Sequence, residues 1–267
     1  MGGRGSNSKI QRQTISPPSP APVPPIKLQA QQPPDDDTMR PNVTPTAQAA
    51  QSANNSRFSD TDSSPFHDLY NGRQYFQDQS FGIDTRMAIQ DYLHDQATPG
   101  SLYSPSQQLN HAMRQGTPLD PNQQFMRDAM MDGMHNIGYN VNLTRYDRAD
   151  FMQALGVPNF SNMSIGQLQK ALVGKSYTDP AFVSTSYNDF KNAPPGNNFT
   201  DKAVRIRYKA PASTQALMPG NGPGGAFGEM VLAPGQHYTI TGVRFTGKRG
   251  RSGSSYYNQV ELEVTIG

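Results

Sequence analysis

The sequence predicts an α+β domain, helices first and strands after, behind a long arm without regular structure. Three observations carry that expectation. Residues 1–80 are rich in Pro, Ser, Gln, Asn and Asp, and their apolar residues are sparse and aperiodic. From about residue 81 apolar residues recur at helical spacing behind cap signals. Beyond residue 138 the apolar period falls to two, the period of a strand with one buried face. Helices and strands segregated along a chain are the pattern of an α+β fold.

In the arm, Ser16-Pro17-Pro18-Ser19-Pro20 and Pro24-Pro25 are incompatible with a helix or an interior strand. Too little apolar surface is present to offset the entropy of ordering, so residues 1–80 are expected to be disordered. A spacer is the simpler reading and a docking tether the alternative. The folded domain is expected over residues 81–267.

Asp84 is predicted to cap a helix that carries Ala88, Ile89, Tyr92 and Leu93 on one face. Ser104-Pro105 is a cap followed by Pro at the first helical position, with Leu109 and Met113 at helical spacing and Gly116 as the stop. Asp120-Pro121 repeats the start signal ahead of an apolar stripe of Phe125, Met126, Ala129, Met130 and Met134. Such a methionine stripe reads as core filler. Val141, Leu143 and Arg145 alternate as in a short strand. Ser164 is predicted to start a short helix with Ile165, Leu168 and Leu172 inward, closed by Gly174.

Strands are predicted over residues 181–186, around Val204, Ile206 and Tyr208, over residues 230–232, and around Tyr238 and Ile240. A terminal strand alternates Val260, Leu262, Val264 and Ile266 with Glu261, Glu263 and Thr265. Residues 188–198, 218–228 and 247–253 are Gly-, Pro- and Asn-rich and are expected as irregular loops, either functional or plain surface.

The chain has 267 residues, no Cys, no Trp and a formal charge of +2. That charge does not argue for nucleic acid, and the lack of Cys removes disulfide frameworks and thiolate metal sites. The His residues show no ligand spacing, so no metal is expected. No apolar run approaches a membrane span, and the N-terminus lacks the apolar core of a signal peptide. A soluble protein with no membrane partner is therefore expected.

Glutamate is scarce. The chain contains Glu229, Glu261 and Glu263. The last two fall on the polar face of the terminal strand, where solvent exposure is the expectation. Glu229 stands alone, between a Gly-rich loop and an apolar strand, either as a functional carboxylate or as an ordinary strand-edge one.

Leu143-Thr144-Arg145, then Phe182-Val183-Ser184-Thr185-Ser186, then Gly228-Glu229-Met230-Val231-Leu232-Ala233-Pro234-Gly235 resemble, in order and spacing, the Arg, Ser-Thr-Ser and Glu motifs of the mono-ADP-ribosyltransferase exoenzymes. Ile89-Gln90-Asp91-Tyr92 and residues 109–116 look like the family's opening helices. Residues 174–182 lead into the Ser-Thr-Ser strand as in the family, and residues 204–214 resemble its next strand and turn. The resemblance covers roughly residues 83–267. It implies N-terminal helices followed by two small, mostly antiparallel, packed β-sheets. It also implies cleavage of the nicotinamide–ribose bond of NAD and transfer of ADP-ribose to a macromolecular acceptor, a protein first of all.

The chemistry suits those residue types. The bond breaks through an oxocarbenium-like state, as in glycoside hydrolysis. A carboxylate that bonds the ribose 2′-hydroxyl stabilises that charge as it grows, which is the role the resemblance gives Glu229. A guanidinium fork matches a pyrophosphate, the role given to Arg145. Ser184 would hydrogen-bond Glu229 or the ribose, with Thr185 and Ser186 in support. Tyr146 could offer backbone groups to the nicotinamide amide, and Phe190 is a candidate stacking residue. Taken singly, Arg145 reads equally as a surface ion-pair partner and Ser184 to Ser186 as polar strand filler.

One position departs from the pattern. Two residues before the catalytic Glu, arginine-modifying members carry a second Glu and asparagine-modifying relatives a Gln; here it is Phe227. An aromatic ring accepts no proton, so activation of an arginine acceptor from that position is not available. Phe227 is instead a candidate for packing against the acceptor. An NAD glycohydrolase, with water as acceptor, is thus a rival reading. A catalytically silent structural or binding module of a phage particle is another, because Met1-Gly2-Gly3-Arg4-Gly5-Ser6 resembles the starts of some bacteriophage head-associated proteins. Host cytoplasm or virion are the matching locations. Arg244, Lys248, Arg249 and Arg251 read as a solvated hairpin ahead of a nucleic-acid patch.

Overall fold

The computed structural model describes residues 81–93, 101, 103–189, 199–219 and 228–267. The arm, residues 190–198 and residues 220–227 lie outside the described residues, and with them the expectations for Phe190 and Phe227. Helices α1 (Ile83–Tyr92), α2 (Pro105–Gln115) and α3 (Pro121–Asp132) come first. Strands β1 (His135–Asn136) and β2 (Val141–Asp147) follow, then the short helix α4 (Ala149–Ala154) and α5 (Ile165–Leu172). The remainder is strand: β3 (Ser176–Thr178), β4 (Val183–Ser186), β5 (Val204–Ala210), β6 (Gln215–Leu217), β7 (Glu229–Leu232), β8 (His237–Ser252) and β9 (Ser255–Ile266). None of the described helices is long and apolar enough to cross a membrane.

Local chemistry explains three helix starts. Ser104, Asp120 and Ser164 each accept the backbone N–H three residues on, while Gln107, Gln123 and Gln167 reach back to the cap N–H. Each box satisfies two amides that a helix start leaves unpaired. Gly116 closes α2 with φ 63°. Asp84 is a correction. The cap position of α1 is Gly82, which makes no side-chain cap bond, and Asp84 sits inside the first turn, where its charge meets the positive end of the helix. Phe125 is a second correction. It is 43% exposed, while Met126, Ala129 and Met130 are buried.

The strands run in the order β1-β6-β7-β4-β2-β5-β9-β8-β3. The described pairings are antiparallel except that of β5 with β9. The two expected sheets are visible as groups of four and five strands. They join through a single register pair, Thr144 opposite Ser186. One core, with Leu143, Ile206, Met230, Leu232 and Tyr238, runs under both groups. A second packs Ile89, Tyr92, Leu109, Met126 and Met130 of the helices against Phe182, just ahead of β4, and against Leu217 and Val231 of the strands. Successive residues of β4 and β7 therefore face different cores, which is the strand period at work. Full burial of each Leu, Met or Phe in these cores contributes about 1.5–3 kcal/mol.

Two further expectations are corrected. Residues 247–253 are not an irregular loop: β8 continues through Ser252 and turns directly into β9. Glu261 and Glu263 are not solvent-exposed but buried. Because β9 lies between β5 and β8, its polar face meets charged strands on both sides. Arg205 Nη1 donates to Glu261 at 2.8 Å, Arg244 Nε donates to the other oxygen at 2.6 Å, and Lys209 pairs with Glu263. Buried carboxylates persist only with such partners.

Candidate functional site

Three neighbouring strands carry the motif residues, and register puts Arg145 on the opposite face from Ser184 and Glu229. Register places Ser186 opposite Glu229 and Ser184 opposite Val231, so Ser184, Ser186 and Glu229 share one face of the β4–β7 pair. Ser184 and Glu229 are diagonal neighbours, about 7–8 Å apart between backbones, a gap on the scale of a sugar ring. Gly228 fixes where Glu229 begins. Its φ is 63°, and an added Cβ would lie 2.9 Å from the Tyr187 ring and the Asn188 side chain. Its carbonyl accepts the Tyr187 N–H at 2.9 Å.

That bond also sets the polarity of β4. Tyr187 points its backbone groups at β7, so by alternation Ser184 and Ser186 point theirs at β2. Beyond the one Thr144–Ser186 pair the two strands part, and the Arg145 guanidinium takes the place of the missing ladder bond. Its Nη1 donates to the Ser184 carbonyl at 3.1 Å and its Nε to Asp147 Oδ2 at 3.0 Å. Asp147 is buried and also accepts the Arg148 N–H at 2.9 Å. Arg145 thus forms an ion pair, though a largely buried one and not at the surface, and also touches the Ser184 backbone.

The remaining motif residues divide. Thr185 is on the opposite face, buried, and its Oγ1 donates to the Met230 carbonyl at 2.7 Å, which ties β4 to β7. Ser186 Oγ donates to Asn188 Oδ1 at 2.8 Å and accepts the Asn188 N–H at 3.2 Å, shaping the turn out of β4. Tyr146 follows Arg145 and so faces away from it. Its hydroxyl donates to Asp189 at 3.3 Å, and the Arg205 guanidinium lies 5.8 Å from its ring centre. Burial first, then the Asp189 charge, pushes the Tyr146 hydroxyl up to about 12. Asp189 has φ 56°, a conformation Asp tolerates better than most side chains, and is also gripped by Arg205 Nη2. The chain leaving the Ser-Thr-Ser strand is therefore anchored at its first residues.

The helices supply partners that the motifs did not reveal. Tyr92 of α1 meets Ser184, with 3.3 Å between its hydroxyl and Oγ. Asn110 of α2 donates through Nδ2 to the Tyr92 hydroxyl at 3.0 Å and accepts the Phe182 N–H at 3.2 Å. Arg114, one turn on, donates to both oxygens of Asp179, with Nε–Oδ1 and Nη2–Oδ2 distances of 3.0 and 3.1 Å, and to the Phe182 carbonyl at 3.4 Å. Residue 182 is held by both its backbone groups just before the Ser-Thr-Ser strand. The signal in the sequence was the i, i+4 spacing of Asn110 and Arg114 beside the apolar Leu109 and Met113.

Solved structures share this arrangement of elements. The Clostridium limosum C3 exoenzyme aligns with a TM-score of 0.54 at 15% identity, over 76% of this chain and 96% of that one. An ADP-ribosyltransferase from Clostridium botulinum aligns at 0.52 and 15%, over 76% and 98%. A protein from S. aureus, solved with NAD, aligns at 0.51 and 14%, over 76% and 97%. The chain has the ADP-ribosyltransferase fold. No protein-family model matches the chain, and no curated protein does so at a significant level. Within the ADP-ribosyltransferase fold, Arg145, Ser184 and Glu229 lie on three strands adjacent in the sheet, β2, β4 and β7.

Proposed function

We propose that this protein is an NAD-dependent mono-ADP-ribosyltransferase acting on a macromolecular acceptor, a protein first of all. The observation that carries the reading is that Ser184 and Glu229 share one face of two paired strands in an ADP-ribosyltransferase fold, with the Arg145 guanidinium on the Ser184 carbonyl. The residues fit NAD. Ser184 carries a hydroxyl whose hydrogen-bond partner among the described residues is Tyr92, at 3.3 Å. Glu229 is partly exposed and sits on the same face.

When bound, NAD would supply a pyridinium nicotinamide that leaves as a neutral pyridine and a ribose that takes over the positive charge. Glu229 would accept the ribose 2′-hydroxyl and oppose that charge, an interaction stronger in the transition state than before it. Arg145, held by Asp147, would supply the positive charge that faces the pyrophosphate. Ser184 would orient the ribose or the carboxylate. Phe227 leaves no acid or amide two residues before Glu229, which favours a non-arginine acceptor and keeps NAD hydrolysis as the second reading.

The test is full-length protein with NAD labelled in its adenylate half, in a host-like lysate, beside Glu229→Gln. Nicotinamide release with label on a macromolecule supports the transferase, with a fall of about 10²–10³ in kcat for the variant. Nicotinamide without label in any acceptor supports the hydrolase. NAD left intact by the wild type overturns both and leaves a silent module.

A further inference from the structure

We infer that Tyr92 and Asn110 are positioning residues that dictate which way the Ser184 hydroxyl donates. The inference rests on the proposed role of Ser184, but the hydrogen-bond polarity behind it stands independently of that role.

A backbone N–H can only donate. Phe182 N–H points at Asn110, so the atom it meets is the amide oxygen, and the amide nitrogen must face Tyr92. That nitrogen can only donate as well, so Tyr92 is an acceptor on that side. Among the described residues the single Tyr92 proton then has one acceptor in hydrogen-bond contact, Ser184 Oγ at 3.3 Å. The reverse sense, with Ser184 donating to Tyr92, would leave a buried phenol proton with no acceptor; Tyr92 is 4% exposed. Ser184 therefore receives a hydrogen bond from Tyr92, which leaves its own hydrogen to be donated elsewhere on the face it shares with Glu229.

The anchor of this chain is stiff at each link. Asn110 and Arg114 clamp both backbone groups of residue 182. The Phe182 ring packs edge-on to Tyr92 with centroids 5.8 Å apart. Burial raises the Tyr92 hydroxyl above its ordinary range, with the Glu229 charge adding to the effect, so it remains a donor at any pH the enzyme would meet. The Ser184 carbonyl is held from the other side by Arg145. Backbone and hydroxyl are thus both fixed, and a serine that would otherwise sample three rotamers presents one donor direction.

The test has two arms. In the first, proton NMR of the wild-type chain should show a slowly exchanging Tyr92 hydroxyl proton with cross-peaks to the Ser184 β-protons. A Tyr92 proton directed at Asn110 instead, or exchanging as fast as an exposed phenol, overturns the inference whatever the activity. In the second, NAD turnover is measured for Tyr92→Phe, Ser184→Ala and the double variant. Tyr92→Phe should lower kcat about five- to tenfold, the scale of one neutral hydrogen bond, with KM for NAD unchanged. In the Ser184→Ala background the same change should have no further effect, because its route is gone. Additive losses, or a rise in KM alone, would assign Tyr92 a general packing role and refute the relay. If the wild type turns over no NAD while the first arm succeeds, the functional reading fails and the donor polarity stands.

Discussion

Replacing Arg114 by Met should cost the fold about 3–4 kcal/mol, and the structure says where that comes from. The Arg114 side chain is 4% exposed and that of Asp179 11%. The pair is bidentate, and the guanidinium also covers the Phe182 carbonyl. Removing the cation leaves Asp179 in its buried position with the Ala181 N–H at 3.0 Å as its remaining side-chain partner. Breaking a buried pair from one side costs about 3–5 kcal/mol, because the surviving charge has lost both water and partner. The lower part of that range applies here, since the Ala181 bond remains and Met fills much of the volume. Taking away both charges is far cheaper than taking away one, so Arg114→Met with Asp179→Asn should recover about 2 kcal/mol of the summed losses. Urea denaturation of the four proteins, followed by circular dichroism, measures the coupling. A domain of ordinary stability, about 5–15 kcal/mol, survives the single change well enough to be measured. A cost below about 1 kcal/mol for Arg114→Met, or strict additivity in the double variant, would refute the claim that this pair pins α2 to the segment ahead of β4.

Two other outcomes follow from the packing and the buried phenols. Gly250 sits against the Lys202 carbonyl and the Ala203 Cα, backbone that cannot yield to a new Cβ, so Gly250→Ala should cost about 1–3 kcal/mol in a thermal or urea melt, while a neutral result would mean the hairpin lifts freely. Burial raises the hydroxyls of Tyr92, Tyr177, Tyr208 and Tyr238, and burial with the Asp189 charge takes Tyr146 to about 12. Above pH 10 the unfolded chain ionises these groups and the native one does not, so their contribution is intact below pH 10 and for Tyr146 is lost between 10 and about 12. Phenolate absorbance should accordingly rise in step with loss of structure. Full ionisation near pH 10 with the fold intact would contradict their burial.

Much of the fold was legible because local chemistry and tertiary need agree. Ser104-Pro105, Asp120-Pro121 and Ser164 announce helices with the side chains that cap them. Residues 204–210 alternate as a strand should. The motif residues are named from a family resemblance in order and spacing, and the structure puts Arg145, Ser184 and Glu229 on adjacent strands. What escaped was non-local. Alternating Val-Glu-Leu-Glu reads as one face in water, and only the neighbours of β9 reveal that the second face meets Arg205, Lys209 and Arg244. A hint lay in the matching alternation of Arg205, Arg207 and Lys209 on β5, opposite in sign and equal in period. Tyr92 and Asn110 escaped for a similar reason. On a helix they look like a core aromatic and a surface amide, and their purpose appears only when β4 arrives beside them.

The parallel pairing of β5 with β9 has a consequence for how the molecule assembles. Val204 pairs with Val260 and Lys209 with Thr265, so the middle of the five-strand group is closed by residues far along the chain. Until residues 260–265 take their place, β5 and β8 are two open edges, and no hairpin can join them. Contacts of such long separation must absorb the loop-closure entropy before they return any stability. The strand β9 is the keystone: a nascent chain can collapse its helices early, but the five-strand group is complete only when β9 slides between β5 and β8.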